Sequence, residues 1–438
     1  MLPKIHFTLR PIIMPNRNDS LVLPLISSPV NTSKPLPYYL VLLCLFLEYG
    51  RPQDSYLSGL AAIKPSLIVS ICLVLSLVFG STASYFADKP TKVFGSLLVF
   101  MMFHIFFARN NQWAFNTAQT MALTFVLYLG ILAFVDSYEK FTTLITVWIT
   151  IHIFLAISAI RSGGVGIGGF LLDENDFAIT INMIIPYAYF CMFSDGKTKY
   201  RIFHLASLFV FLAASIATRS RGGLLGLLAI GICCWVRSSR KFGAACLLFL
   251  LALFALNFAP EGYWERMSTI QAEYSGEKIG SGAERQYEWE VGWKMFLANP
   301  ILGVGQGNFP WEFNNYEGES NFQGRSVAGR AAHSLYYTLL PELGLVGTLM
   351  FLGMNYFSYK DLAFVKRLYG DKRRQVESRE ARFLFYSACA FEASLIGFLV
   401  GGTFISVLYY PNFWILMGFV VALKKIALAK QEDIFEAR

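Results

Sequence analysis

The sequence predicts an all-α membrane protein of about twelve transmembrane helices, with one large external loop between the ninth and the tenth. Three observations predict it. First, 55% of residues are hydrophobic and mean hydropathy is +0.48, more apolar surface than one soluble core buries. Second, the apolar runs approach the ~20 residues that cross a bilayer. Third, charged residues fall in short joints between those runs, except for one long polar stretch at 260–333.

In chain order, residues 1–35 are rich in Pro, Ser and Asn and are expected to form a flexible cytoplasmic tail. They lack the basic start, apolar centre and small-residue cleavage site of a signal peptide. Nine spans are expected within 36–259, at 36–49, 60–80, 92–108, 115–135, 141–160, 176–193, 201–218, 222–236 and 242–259. The loop over 260–333 follows, expected to be periplasmic and to carry an interfacial helix, and spans at 334–358, 382–404 and 410–426 precede a second cytoplasmic tail at 427–438.

Counting Lys and Arg in alternate joints places about 25 of the 37 on one side, including Lys360 to Arg382 with its Lys372-Arg373-Arg374 cluster. By the positive-inside rule that side is cytoplasmic, so both termini lie inside and the 260–333 loop lies outside. The net charge of +8 and pI near 9.0 do not point to nucleic acid, because the basic residues are spread through the joints rather than gathered on one face. All seven cysteines sit in or beside apolar runs, which indicates neither a disulfide framework nor a thiolate metal site.

The chemistry is expected on the outer side. The hairpin Thr218-Arg219-Ser220-Arg221-Gly222-Gly223 puts two arginines there against the charge rule, with no carboxylate nearby in sequence. An Arg near hydrocarbon depth costs ~2.5–3.5 kcal/mol on insertion scales, so it calls for an anion. A guanidinium fork suits phosphate oxygens, with Arg221 favoured because it adjoins the glycines; the competing reading is snorkelling to lipid headgroups.

In the loop, positions 285, 289, 293, 296 and 297 follow a helical rhythm, giving an aromatic face that carries Arg285 at its start and Trp289 and Trp293 along it. The indoles are expected at headgroup level or stacked on sugars, and Arg285 is a second anion ligand unless it pairs with Glu284 or Glu288. The turn Gly303-Val304-Gly305-Gln306-Gly307 lacks a following Gly-Lys-Ser/Thr and reads as structural.

Of five histidines, His333 alone stands where a polar loop enters a span, and imidazole is suited to take a proton from a hydroxyl at neutral pH. The run Asp173-Glu174-Asn175-Asp176 opens a span. It is read as capping a helix that begins at Phe177, with Asn175 and Asp176 contacting substrate, in preference to a metal site. Glu342 and Glu392 are expected to pair internally, with Glu392 also a hint of an ion path.

Taken together and in order, Leu172 to Ala178, Ser220 to Gly223, Arg285 to Trp293, Asn299 to Phe309 and His333 to Gly347 resemble the bacterial O-antigen ligase family. Its relatives include O-antigen polymerases and protein O-oligosaccharyltransferases. The resemblance implies a C-type glycosyltransferase on the outer face of the inner membrane. It would use an undecaprenyl-diphosphate-linked glycan as donor and a lipid A core sugar as acceptor, with inversion and without metal or cofactor. The family's hairpin arginine, loop arginine and histidine correspond to Arg221, Arg285 and His333. Ser334 follows the histidine where Asn often stands.

The residue types support the same chemistry. Fixed guanidinium groups stabilise the charge that develops on a departing lipid diphosphate, and His333 takes the acceptor proton. A rival from another class is a twelve-span permease or lipid-glycan flippase. It would be distinguished by ion-gradient-dependent uptake and by polar groups at mid-membrane, for which Glu392, His104 and His152 are the candidates.

Overall fold

The computed structural model describes residues 35–54, 57–80, 85–194, 197–238, 241–258, 281–317, 328–371 and 378–436. The expected tail at 1–34, the 259–280 and 318–327 parts of the loop, and the Lys372-Arg373-Arg374 marker lie outside the described residues.

Among the described residues the chain is helical and has no strand. The helices are α1 (Pro35–Gly50), α2 (Pro65–Gly80), α3 (Lys89–His104), α4 (Asn111–Phe134), α5 (Tyr138–Arg161), α6 (Glu174–Ser194) and α7 (Thr198–Ala217). They continue with α8 (Arg221–Arg237), α9 (Lys241–Phe258), α10 (Ser281–Ala298), α11 (Phe309–Glu317), α12 (Leu335–Tyr369), α13 (Arg379–Gly401) and α14 (Pro411–Glu436). Several begin on a side-chain cap. Asn110 accepts from Trp113 N, Ser220 from Gly223 N and Ser378 from Ala381 N, each filling one of the donors a helix start leaves open.

Among the described residues eight helices are long and apolar enough to cross a membrane: Gly59–Gly80, which contains α2, then α4, α5, α6, α7, α12, α13 and α14. The expected spans at 36–49, 92–108, 222–236 and 242–259 are also helical, as α1, α3, α8 and α9, but with 16, 16, 17 and 18 residues they are shorter. At ~1.5 Å per residue they reach under ~30 Å, the thickness of the hydrocarbon core.

The centre of the bundle is α6, which buries every residue from Phe177 to Met192. A helix apolar all round belongs in the middle. Small residues let its neighbours approach. A Cβ added at Gly223 of α8 would sit 2.7 Å from Ala178 Cβ on α6, and one at Gly226 would sit 3.0 Å from the Gly397 carbonyl on α13. Glu392 of α13 is paired rather than open to an ion path: it takes both Nε and Nη2 of Arg237, at 2.6 and 2.7 Å, and Lys366 Nζ at 2.6 Å. Five cysteines are buried, while Cys72 and Cys246 are exposed.

α12 is broken inside by Gly344, at φ 58° and ψ −161°. The glycine turn repairs the break. Leu345 N donates to Pro300 O at 2.8 Å and Val346 N to Ile301 O at 3.1 Å, while Val304 N and Gly305 N donate to Pro341 O and Glu342 O, both at 2.9 Å. The buried Glu342 carboxylate then accepts Gly307 N, Phe309 N and the Tyr409 hydroxyl at 2.7, 2.9 and 2.7 Å. Gln306 Nε2 reaches the carbonyls of Met101 and Ala114, so the turn is locked to α3 and α4 as well.

Candidate active site at one end of the bundle

The starts of α6 and α8 meet at one end. Asp173 caps α6, its Oδ1 accepting from Asn175 N at 2.7 Å and Asp176 N at 3.3 Å, so the helix begins at Glu174 and not at Phe177. Asn175 and Asp176 are therefore first-turn residues rather than caps, and their side chains are used within the protein. Asn175 Oδ1 accepts the Ser220 hydroxyl at 2.8 Å, and Asp176 Oδ2 accepts the Tyr410 hydroxyl at 2.7 Å.

The hairpin between α7 and α8 is held from below. Asn182 donates to Gly223 O at 2.7 Å and accepts from Ser215, also at 2.7 Å, so α6, α7 and α8 share one buried polar network. Arg219 makes the reversal at φ 52°, with its Nε buried and without a hydrogen bond. Arg221 is the first residue of α8, half-buried at the positive end of the helix dipole. Gly222 and Gly223 serve helix packing instead of ligand approach: their hydrogens face Phe404 Cβ and Ala178 Cβ.

The other half of the site comes from α10 and the entry to α12. His333 is held in the left-handed region at φ 47°, a conformation that costs a β-carbon residue ~1–2 kcal/mol. Its neighbours impose it. On one side the Trp289 indole Nε1 donates to Ala332 O at 3.0 Å; on the other, Ser334 caps α12 by accepting Tyr337 N at 3.4 Å. Trp289 stacks on Tyr337 with centroids 5.1 Å apart and planes 5° apart. The indole thus acts as an internal pin, with its nitrogen and one ring face used within the protein. The buried face of α10 runs through Glu288, Val291 and Met295, because Val291 and Met295 pack with Phe309 and Phe313 of α11. Trp293 stands outside this grouping, 47% exposed and packed on Phe296.

Charge gathers around the imidazole. Burial lowers the His333 pKa below its ordinary 6.5, and the Arg285 guanidinium, followed by Arg330, lowers it further; Asp173 and Glu284 pull the other way. The Arg330 Nη1 and Glu284 Oε1 form an ion pair at 2.7 Å. Glu288 is only 1% exposed, its Oε2 has no hydrogen bond, and burial, aided by Glu284, pushes its carboxyl up to about 7 against the pull of Arg330 and Arg285.

Arg285 therefore stands near enough to His333 for its charge to act on the imidazole. The Arg219–Arg221 hairpin joins them through Phe404, which abuts Gly222 and whose ring lies 6.0 Å from Trp289, and through Asp173 at the start of α6. Asp173, Ser220, Glu288 and Arg330 are site residues that sequence reasoning did not assign. Asp173, Ser220 and Glu288 lie inside the quoted motifs and so carried a signal, whereas Arg330 carried none. Among the described residues no group of three or more His, Cys, Asp or Glu has the arrangement to hold a metal ion.

This end of the bundle coincides with a match to a known family. The family model described as O-antigen ligase matches residues 206–352. Over that segment, about a third of the chain, the protein is similar to the O-antigen ligase family. The O-antigen ligase match runs from α7 into α12 and contains Arg219, Arg221, Arg285, Trp289, Trp293 and His333, whereas Asp173, Asn175 and Asp176 lie before it. A comparison with curated proteins finds no match. The apolar helices suit a multi-pass membrane protein, and the matched segment is similar to a ligase family.

Proposed function

We propose that the chain transfers a glycan from undecaprenyl diphosphate to a lipid A core acceptor on the periplasmic face of the inner membrane, with inversion and without a metal. The observation that carries the reading is the grouping of a backbone-strained His333 with Arg285, beside a helix start that bears Arg221.

Inversion in one displacement needs three things. The acceptor hydroxyl must lose its proton as it attacks the anomeric carbon. His333, its pKa lowered by burial and by Arg285, stays neutral at pH 7 and has a lone pair for that proton. The diphosphate must leave with its electron pair, and Arg221, at the positive end of the α8 dipole, and Arg285 would stabilise its growing charge. Both substrates must be held in line. Trp293, exposed on α10, offers an aromatic surface to a sugar ring or to the lipid, and Arg219 extends the basic rim.

A polymerase, or a transferase with a protein acceptor, would use the same donor chemistry. Reconstitution with an undecaprenyl-diphosphate glycan, chelator and separate lipid A core, glycan and protein acceptors tests the reading. Joined lipid product is expected. Product only on glycan or protein reassigns the acceptor, and no product with any acceptor, with or without chelator, removes the transferase reading.

A further inference from the structure

Far from His333, a cavity of about 370 Å³ opens between the start of α3, the lower part of α12 and α14. Its position along α12 is more than ~30 Å from Leu335, about the thickness of a hydrocarbon core. Two ion pairs in its wall are internally neutral: Lys424 Nζ with Asp361 Oδ1 at 2.7 Å, and Lys425 Nζ with Asp88 Oδ2 at 3.2 Å. Two ammonium groups are left over. Lys89 Nζ lies 5.4 Å from the centre of the Phe357 ring and Lys360 Nζ 5.2 Å from that of Tyr356; among the described residues neither forms an ion pair within 4.0 Å, and Lys89 acts only at longer range on Asp361, whose carboxylate is already paired with Lys424. A ring face attracts a cation but leaves its charge uncancelled, so the cavity presents two positive charges to an incoming anion.

The surroundings are those of an amphiphile's site. Phe357 and Phe364 form part of the wall beside the lysines. On the same face of α12, Leu349, Leu352 and Tyr356 are 67, 54 and 56% exposed and lead along the helix to Lys360 at a spacing of three or four residues. An apolar stripe that ends on two unpaired ammonium groups fits an acyl chain that ends on a phosphate. We infer that this cavity binds the headgroup of an anionic phospholipid, with Lys89 and Lys360 on the phosphate oxygens and the phenyl rings against its glycerol root. The inference is independent of the glycan-transfer reading, since neither lysine belongs to the His333 end.

The test is native mass spectrometry of the full-length protein, delipidated in detergent and offered phosphatidylglycerol, phosphatidylcholine, glycerol phosphate or inorganic phosphate. Wild type is expected to retain phosphatidylglycerol over phosphatidylcholine, and the Lys89→Gln/Lys360→Gln variant to lose about tenfold of that retention. Lys89→Arg/Lys360→Arg should restore it, which keeps the test decisive if the glutamine variant folds poorly. Lys197→Gln/Lys199→Gln, a change at an exposed joint elsewhere, should leave it intact. Unchanged retention in the glutamine variant, or equal loss in the Lys197/Lys199 control, overturns the inference. Displacement by inorganic phosphate or glycerol phosphate at the lipid's own concentration overturns the lipid assignment in favour of a soluble phosphate.

Discussion

The indole nitrogen of Trp289 donates a hydrogen bond to the carbonyl of Ala332 at 3.0 Å, one residue before the histidine at the centre of the site. That contact fixes the peptide on the N-terminal side of His333 while the Ser334 cap fixes the other. In Trp289→Phe the ring can still stack on Tyr337, but a buried carbonyl loses its donor, at a cost of ~1–3 kcal/mol. Glycan transfer should fall by roughly tenfold or more while membrane abundance holds. Wild-type turnover in that variant would mean the pin is not needed to position the imidazole.

His333→Asn is the cleanest probe of the imidazole itself, because Asn is among the residues that tolerate the left-handed backbone at φ 47°. Transfer should drop by ~10²–10⁴, the usual worth of general-base help, with thermal stability close to wild type. Comparing melting curves with single-turnover rates separates lost chemistry from lost fold.

Arg330→Gln should move the acid limb of the pH–rate profile. His333 must be neutral to act, so activity is lost as pH falls through its folded-state pKa. Arg330 lowers that pKa, so its removal raises it and the limb shifts to higher pH. A shift to lower pH would contradict the assignment of that limb to His333.

Glu288→Gln is expected to stabilise the protein once the pH rises above 4.5, with the full effect reached just above pH 7. The carboxyl has a folded-state pKa raised from 4.5 to about 7 by burial. Below pH 4.5 it is protonated both folded and unfolded and costs nothing; as pH rises towards 7 the unfolded chain ionises freely while the fold resists, so stability declines. The melting temperature of the variant should exceed wild type at pH 8 and match it near pH 4. Equal melting at pH 8 would show that Glu288 ionises without penalty.

Gly344→Ala should abolish accumulation of folded protein. A Cβ there would come 2.4 Å from Ile301 O, and the residue sits at φ 58°. Immunoblots of membranes would check this, with Gly353→Ala in the same helix, which meets only Val93 at 3.9 Å, as the tolerant control.

Much of the scaffold was legible because the length of an apolar run reports on bilayer crossing directly. The helices α4 to α7 and α12 to α14 fall where apolar runs predicted them. His333 and Arg285 were legible as a loop–span junction and the start of an amphipathic helix. What failed was anything that depends on a partner far along the chain. The rhythm of 285, 289 and 293 marked a face, but the packing face of α10 is set by Phe309 and Phe313 of α11, which no periodicity within α10 can announce. The break at Gly344 was hidden because the apolar run continues through it and composition is blind to φ. Asp173 was passed over as a cap because four polar residues in a row make each a plausible helix start, and only the observed hydrogen bonds choose among them.

The four backbone hydrogen bonds between 300–305 and 341–346 bear on how such chains can be recombined. A chimera joined at residue 333, where hydropathy separates loop from span, would take donors from one parent and acceptors from another. A foreign loop would then have to present amides in register to a discontinuous helix it never evolved with. Exchange of acceptor preference between relatives should therefore succeed only for transplants that carry 299–309 and 333–347 as one cassette.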